Sequence, residues 1–149
     1  MTVQTTGDVV DVLLFQHGEI EDAFDQVMRV ELEAKAAAFD RLRGLLVAHE
    51  AAEQRVVHPL LREGDAAGVA DARLDEERVA DEMLAELNAR PVDDPGFDER
   101  FDELRTAVLD HAHREQDAEF TWLRENLTDE QLHLLADELR SVQAMHQVP

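Results

Sequence analysis

Several residue types are absent from this chain of 149 residues or rare in it, and each absence excludes a class of structure. There is no cysteine, so disulfide frameworks and thiolate metal sites are excluded, and any bound metal must use nitrogen and oxygen ligands. With only 6 glycines and 4 prolines, the composition favours an all-helical protein. No apolar run approaches the length of a membrane span.

Basic residues are also few, 14 against 35 acidic ones, which gives a formal net charge of −21. This balance argues against nucleic acid and anionic membranes as partners, and it would draw cations toward any opening. The N-terminus lacks the basic start and long apolar stretch of a signal peptide. We therefore expect a cytoplasmic protein, and the length suits one domain with a continuous core.

Apolar residues recur at helical spacing along five segments of the chain. The predicted helices cover residues of about 9–29, 34–62, 67–88, 94–126 and 128–145. Asp94 before Pro95 is a strong helix start, and Thr128 with Gln131 forms a capping box. Gly64 is a plausible stop for the second helix.

Short loops between long helices predict an all-α fold, an antiparallel up-down four-helix bundle with an additional C-terminal helix. The predicted boundaries are 8–126 for the bundle and 127–149 for the C-terminal helical appendage.

Polar residues interrupt the apolar seams of four helices, close to the midpoint of each. In the second helix, steps of about 4-3-4-3-4 connect the seam residues, which are Leu42, Leu46, His49, Glu53, Val56 and Leu60. The fourth helix repeats this pattern in Leu104, Val108, His111, Glu115, Ala118 and Trp122. All the inward polar residues taken together are His17, His49, Glu53, Glu77, His111 and Glu115.

These six residues predict a metal site. The midpoints of the helices in an up-down bundle share one layer, so the six side chains should converge. Burying three carboxylates is costly unless their charge is compensated, and 14 basic residues cannot easily neutralise them. Three imidazoles and three carboxylates suit hard or borderline divalent metals, and two ions could share bridging carboxylates. Iron is the first choice, with manganese or zinc possible.

The other candidate side chains have plainer interpretations. His58 and His113 lie off the seams of their helices and are predicted at the surface. His133 and His146 belong to the fifth helix, outside the four-helix core. Glu50 lies about 100° from its neighbour on the seam and could swing in as a seventh ligand.

The combined spacing resembles that of the hemerythrin-like (HHE cation-binding) domain family: a lone histidine, His-x-x-x-Glu, a third-helix ligand and a second His-x-x-x-Glu. The similarity covers about residues 8 to 126, and its positions here are His17, His49 with Glu53, the third-helix position, and His111 with Glu115. The resemblance implies an antiparallel four-helix bundle that holds a non-haem di-iron centre, with Glu53 and Glu115 as bridges.

The third helix departs from the pattern of the oxygen-carrying hemerythrins, which place two histidines there, four residues apart. This chain has Arg73 and Glu77 at the corresponding positions. Exchanging neutral nitrogen ligands for an anionic oxygen should favour ferric iron and lower the reduction potential. We therefore expect a poor reversible oxygen carrier that reacts more readily with dioxygen or peroxide, in oxidative-stress protection or sensing.

Three other functions stay open from the sequence. The protein could be an iron or oxygen sensor, or an iron-handling protein, without turnover. It could be a di-iron oxidase of a small organic substrate, which a closed and small cavity would disfavour. It could also be a metal-free interaction bundle, for which the buried acids would be hard to explain.

Overall fold

The structure, a computed structural model, describes residues 7–64 and 66–146, without the side chain of residue 146. These residues form helices and no strand, so the predicted all-α fold is confirmed. The α-helices are α1 (Val9–Arg29), α2 (Leu32–Ala52), α3 (His58–Glu63), α4 (Ala67–Asn88), α5 (Phe97–Asp117), α6 (Glu119–Asn126) and α7 (Asp129–His146), and a π-helical turn (Glu53–Val57) joins α2 to α3. None of the described helices is long and apolar enough to cross a membrane.

The four long helices α1, α2, α4 and α5 pack as an antiparallel bundle. Apolar residues from 20–27 at the end of α1 share one cluster with those of 39–46 in α2. The same cluster joins residues 80–87 at the end of α4 to residues 97–108 of α5. Helices that follow one another along the chain therefore run in opposite directions, as an up-down bundle requires.

Helix α7 packs against the other end of the bundle. Its buried residues join a second apolar cluster with the start of α1, the π-helical turn, α3 and α6, and they are Leu132, Ala136, Leu139 and Val142. The predicted capping box is present, since the Gln131 N–H donates to Thr128 Oγ1 at 3.2 Å and the Thr128 N–H donates to Gln131 Oε1 at 2.8 Å. Of the predicted segment 127–149, the last three residues lie outside the described part of the chain, and a boundary at residue 126 stays a prediction.

A layer of polar side chains separates the two apolar clusters. On α1, His17 lies between Leu13 of one cluster and Ile20 of the other. On α2, His49 lies between Leu46 and Ala52 in the same way. Because each long helix carries its polar residues at this height, they face one another across the bundle.

The predicted second helix is interrupted after Ala52 by the π-helical turn. The backbone N–H of His58 bonds to the carbonyl of Glu53, five residues earlier. The next residue, Pro59, accounts for the wider turn, because proline lacks an N–H and its ring collides with the carbonyl four residues before it in a regular α-helix. One extra residue in the turn relieves this collision.

The predicted fourth helix also has different limits. It starts at Phe97 and not at Pro95, because Asp94 Oδ2 accepts the N–H of Gly96 at 3.0 Å and closes a turn instead of capping a helix. The chain then bends at Ala118, which separates α5 from α6.

Gly64 follows the last residue of α3, as predicted. Its φ of −102° is not left-handed, so the reason for glycine here is space. A Cβ at this position would collide with the indole ring of Trp122.

Candidate metal centre

The structure brings the six predicted ligands together in the polar layer. Two groups of side chains each offer ligand atoms that all lie within 4.8 Å of one another. One group consists of His17, His49, Glu53 and Glu115, and the other consists of Glu53, Glu77, His111 and Glu115. Two carboxylates are thus common to both groups, as a pair of bridged ions requires.

The first group has two imidazoles whose Nε2 atoms point at the same space. The Nε2 atoms of His17 and His49 are 3.2 Å apart. His17 Nε2 lies 3.3 Å from Glu115 Oε1, and His49 Nε2 lies 2.9 Å from Glu53 Oε1. One small volume is therefore bounded by two ring nitrogens and two carboxylate oxygens.

Glutamine side chains orient both of these rings. His17 Nδ1 lies 3.1 Å from Gln116 Oε1, and His49 Nδ1 lies 2.9 Å from Gln16 Oε1. An amide oxygen can only accept, so each Nδ1 carries a proton, and in the neutral imidazole, the form that binds metal, each Nε2 presents a lone pair to the centre. Gln16 also exchanges two hydrogen bonds, of 2.7 and 2.6 Å, with Gln143 of α7. Helix α7 is thereby connected to the centre.

More carboxylates surround the imidazole of the second group. His111 Nε2 lies 3.4 Å from Glu77 Oε2 and 3.4 Å from Glu115 Oε1. Its Nδ1 lies 2.9 Å from Glu76 Oε1, and the other oxygen of Glu76 accepts from Arg114 Nε at 2.8 Å. A carboxylate on Nδ1 leaves Nε2 free for a metal and makes it a stronger donor.

Polar atoms without hydrogen bonds are concentrated in this layer. Within residues 7–64 and 66–146, the buried atoms that make none include both carboxylate oxygens of Glu53, Glu115 and Glu119, Oε2 of Glu77, and Nε2 of His58 and His111. Each such group costs about 1–3 kcal/mol when it is left bare. Bound cations would satisfy these atoms, and nitrogen and oxygen donors without sulfur suit iron, manganese or zinc. The residues present therefore fit a pair of metal ions.

The pKa values of the carboxyl groups in and beside the centre are shifted in different directions. Burial and the charge of Glu53 raise the pKa of Glu115 well above its usual range. Burial is the largest single effect on Glu53 and opposes its ionisation as well. The charge of His49, the hydrogen bonds with Glu115 and His49, and the charge of His111 together outweigh burial and hold the pKa of Glu53 well below its usual range. Burial, reinforced by a hydrogen bond with Asp81, raises the pKa of Glu50 to about 10.

The imidazoles differ in a similar way. Burial and the charge of His49 lower the pKa of His17 to about 4. Burial also acts to lower the pKa of His111, but the hydrogen bond with Glu77 and the charge of Glu53 outweigh it and raise this pKa to about 9. The second group therefore has the stronger negative field.

His58 is buried, and the prediction that it lies at the surface is wrong. Its exposed fraction is 3% and its Nε2 lies 3.7 Å from Glu77 Oε2. In a regular helix, a residue nine positions after His49 points about 180° away from it. The π-helical turn adds one residue and rotates His58 by about 100° toward the core. Pro59 is the signal in the sequence that could have revealed this turn.

Sequence reasoning also missed two acids beside the centre, Glu76 and Glu119. Glu119 is fully buried, 3.9 Å from Arg73 Nε, which is itself 3.4 Å from Glu76. Burial raises the pKa of Glu119 to about 8, although the charge of Arg73 opposes the shift. Glu119 follows Glu115 by one helical turn, and this spacing could have revealed it.

The remaining candidate residues lie apart from the two groups. Glu50 lines a cavity beside the centre but belongs to neither group. His113 is exposed, as predicted. His133 lies in α7, the predicted fifth helix, and is exposed too. The side chain of His146 lies outside the described part of the chain.

A small cavity opens onto the two groups. Its volume is about 20 Å³, and its polar wall consists of His17, His49, Glu50, Glu77, His111 and Glu115. Apolar side chains such as Ile20 and Val108 form the rest of the wall. A space of this size holds about one water molecule.

Comparison with known proteins gives three results. The sequence matches the hemerythrin HHE cation binding domain over residues 8–123. A DNA nickase of Nostoc sp. (strain PCC 7120) is 26% identical over 138 residues, which are 92% of this chain and 39% of that protein. The chain thus spans about two fifths of the length of this curated relative. The crystal structure of a hemerythrin HHE cation binding domain-containing protein from Mycobacterium kansasii has a TM-score of 0.84 at 22% identity, covering 93% of this chain and 86% of that one, and so shares its fold.

Proposed function

Since this chain belongs to the hemerythrin HHE cation-binding domain family, we propose that its polar layer holds two non-haem iron ions and binds or reacts with dioxygen or peroxide. The proposed ligands are His17 and His49 for one ion, Glu77 and His111 for the other, and Glu53 and Glu115 as bridges. The observation that carries this proposal is that the two groups of ligand atoms share two carboxylates.

The chemistry of the donors supports iron and a redox role. Bound iron would supply the electrons that reduce dioxygen or peroxide. Three buried carboxylates stabilise the ferric state by charge, which favours reaction over reversible oxygen carriage. Gln16, Gln116 and Glu76 hold the three imidazoles in the tautomer that leaves Nε2 free.

The size of the cavity supports a small ligand. About 20 Å³ accommodates a diatomic molecule or a peroxide, whereas sites for organic ligands typically measure about 300–1,000 Å³. This disfavours the oxidase of an organic substrate. We propose a role in oxidative-stress protection or sensing. The net charge of −21 repels phosphate and argues against DNA cleavage by this chain.

A sensor without turnover is the second candidate. The hydrogen bonds from His49 to Gln16 and from Gln16 to Gln143 favour it, because they connect the centre to α7. A change in the position of His49 would act directly on that helix.

Metal analysis after iron-replete expression tests the proposal. We expect about two irons per chain, at a spacing of about 3.5–4 Å if they are bridged. Glu115→Gln should lose both ions, because a neutral amide is a poor bridge, whereas Glu125→Gln at an exposed position should keep both. Purified protein without bound metal would contradict the proposal. Consumption of added peroxide would separate the reactive protein from the sensor.

A further inference from the structure

His58 is a buried imidazole whose free nitrogen has no hydrogen bond among the described residues. Its exposed fraction is 3%, and Nε2 is the unpaired atom. The π-helical turn aims this ring at the second group of ligands, where Nε2 lies 3.7 Å from Glu77 Oε2. That distance is too long for a hydrogen bond, so this nitrogen has no hydrogen-bond partner within residues 7–64 and 66–146.

The carboxylate of Glu77 is arranged to receive a metal on the same side. Its Oε1 accepts from Gln54 Nε2 at 2.7 Å, while its Oε2 makes no hydrogen bond among residues 7–64 and 66–146. Oε2 faces two imidazoles, at 3.7 Å from His58 and 3.4 Å from His111. Donor atoms with bonds of about 2.1 Å to one ion lie about 3.0–3.4 Å apart, or somewhat more as the angle widens. The 3.4 Å separation of Glu77 Oε2 from His111 Nε2 lies within this range, and the 3.7 Å separation from His58 Nε2 lies just above it. His58 stands at the edge of the second group and is not one of its four members.

The composition of the two groups also supports an additional imidazole ligand at the second one. The first group has two imidazoles and two carboxylates, whereas the second has one imidazole and three carboxylates. We propose that His58 is a further ligand at the second metal position, which gives each position two imidazoles. This inference rests on the proposed di-metal centre. His58, at the end of the π-helical turn, supplies a nitrogen donor that α4 lacks.

The variant His58→Gln tests the proposal, because glutamine keeps a polar side chain at this position but is a poor metal ligand. The matched control is His113→Gln, at an exposed position of α5. Metal-free samples whose helix content is checked by circular dichroism are titrated with Co²⁺ alone. We expect two ions per chain in the unaltered protein and in the control. In His58→Gln the second ion should bind at least about tenfold more weakly, since even partners behind the ligands contribute about 10–100-fold, and the visible Co²⁺ bands should change.

Equal binding of two ions with unchanged bands in His58→Gln would overturn the inference and leave the di-metal centre intact. No binding by the unaltered protein would overturn both. The unaltered protein provides an independent test if the variant does not fold. In its two-Co²⁺ form, proton NMR should show ring signals of four histidines shifted far outside the usual range. Three such histidines would exclude His58.

Discussion

The two halves of the candidate metal centre hold their imidazoles through different hydrogen-bond partners. In the half that contains His17 and His49, both Nδ1 atoms meet the neutral oxygens of glutamines. In the other half, Nδ1 of His111 meets the carboxylate of Glu76, and Glu77 adds a further acid. A carboxylate behind a ligand makes it more basic. We therefore expect the second position to favour ferric iron more strongly than the first.

The pKa values of two histidines, one from each half, differ in the same direction. The pKa of His17 is lowered to about 4, by burial and by the charge of His49. The pKa of His111 is raised to about 9, because its acidic partners, with Glu77 foremost, outweigh the effect of burial. Burial alone thus does not decide the charge of an imidazole here. The number of carboxylates that surround it does.

Removing the acid that distinguishes the second half should have the largest effect. Glu77→Ala should loosen one of the two ions, because a ligand is lost. Glu77→His keeps a donor and removes one negative charge, so it should raise the reduction potential and slow autoxidation. Metal content and redox titration measure these outcomes, with Glu82→Ala as an exposed control on the same helix. Two retained irons and an unchanged spectrum in both Glu77 variants would remove Glu77 from the centre.

Exchanging the partner of His111 should have the next largest effect. Glu76→Gln gives the second half the amide partner that the first half has, so its ion should bind about 10–100-fold more weakly. Gln116→Glu makes the opposite change behind His17 and should tighten the first ion. Competition with a chelator measures both affinities. If the two variants bind both ions like the unaltered protein, the difference between the halves does not arise from these partners.

The pH dependence of the metal-free protein should show the smallest effect. The raised pKa of His111, about 9 against 6.5 in the unfolded chain, stabilises the fold below 6.5 and loses this contribution as pH rises through 9. Glu119, with a pKa of about 8 against 4.5, also destabilises the fold as pH rises between those values. The lowered pKa of His17 acts oppositely and destabilises the fold as pH falls from 6.5 toward 4.

The melting temperature of the chelated protein should therefore fall by about 10–20 °C between pH 6.5 and 9, since a pKa unit corresponds to about 1.36 kcal/mol and 1 kcal/mol to about 2–4 °C at this size. Metal should raise the melting temperature most at the upper end of this range. His111→Gln should lessen the high-pH decline, the rest of which comes from the raised pKa values of Glu50 and Glu119, and the exposed-site variant His113→Gln should not change it. A chelated protein whose melting temperature is constant over the range would contradict the assignment.

Much of the fold was accessible from the sequence because helical periodicity is a local property. A regular helical step correctly places four polar residues on the inward faces of their helices. They are His49, Glu53, His111 and Glu115. The same regular step misplaced His58, because the turn before Pro59 has an extra residue. Glu119 was missed for a related reason. The predicted seam continues through Ala118 and Trp122 at a regular helical step, whereas the chain bends at Ala118 and buries Glu119 instead.

The sequence by itself determined that the chain is all-helical and that six polar residues share one layer, since both follow from spacing within single helices. Only the tertiary structure decided which side chains form hydrogen bonds with those residues. The partner of His111 is 35 residues away in sequence on α4, and Gln16 pairs with Gln143 of α7 across 127 residues. Such pairs depend on how helices are rotated and stacked against one another, and packing over the whole bundle sets that rotation.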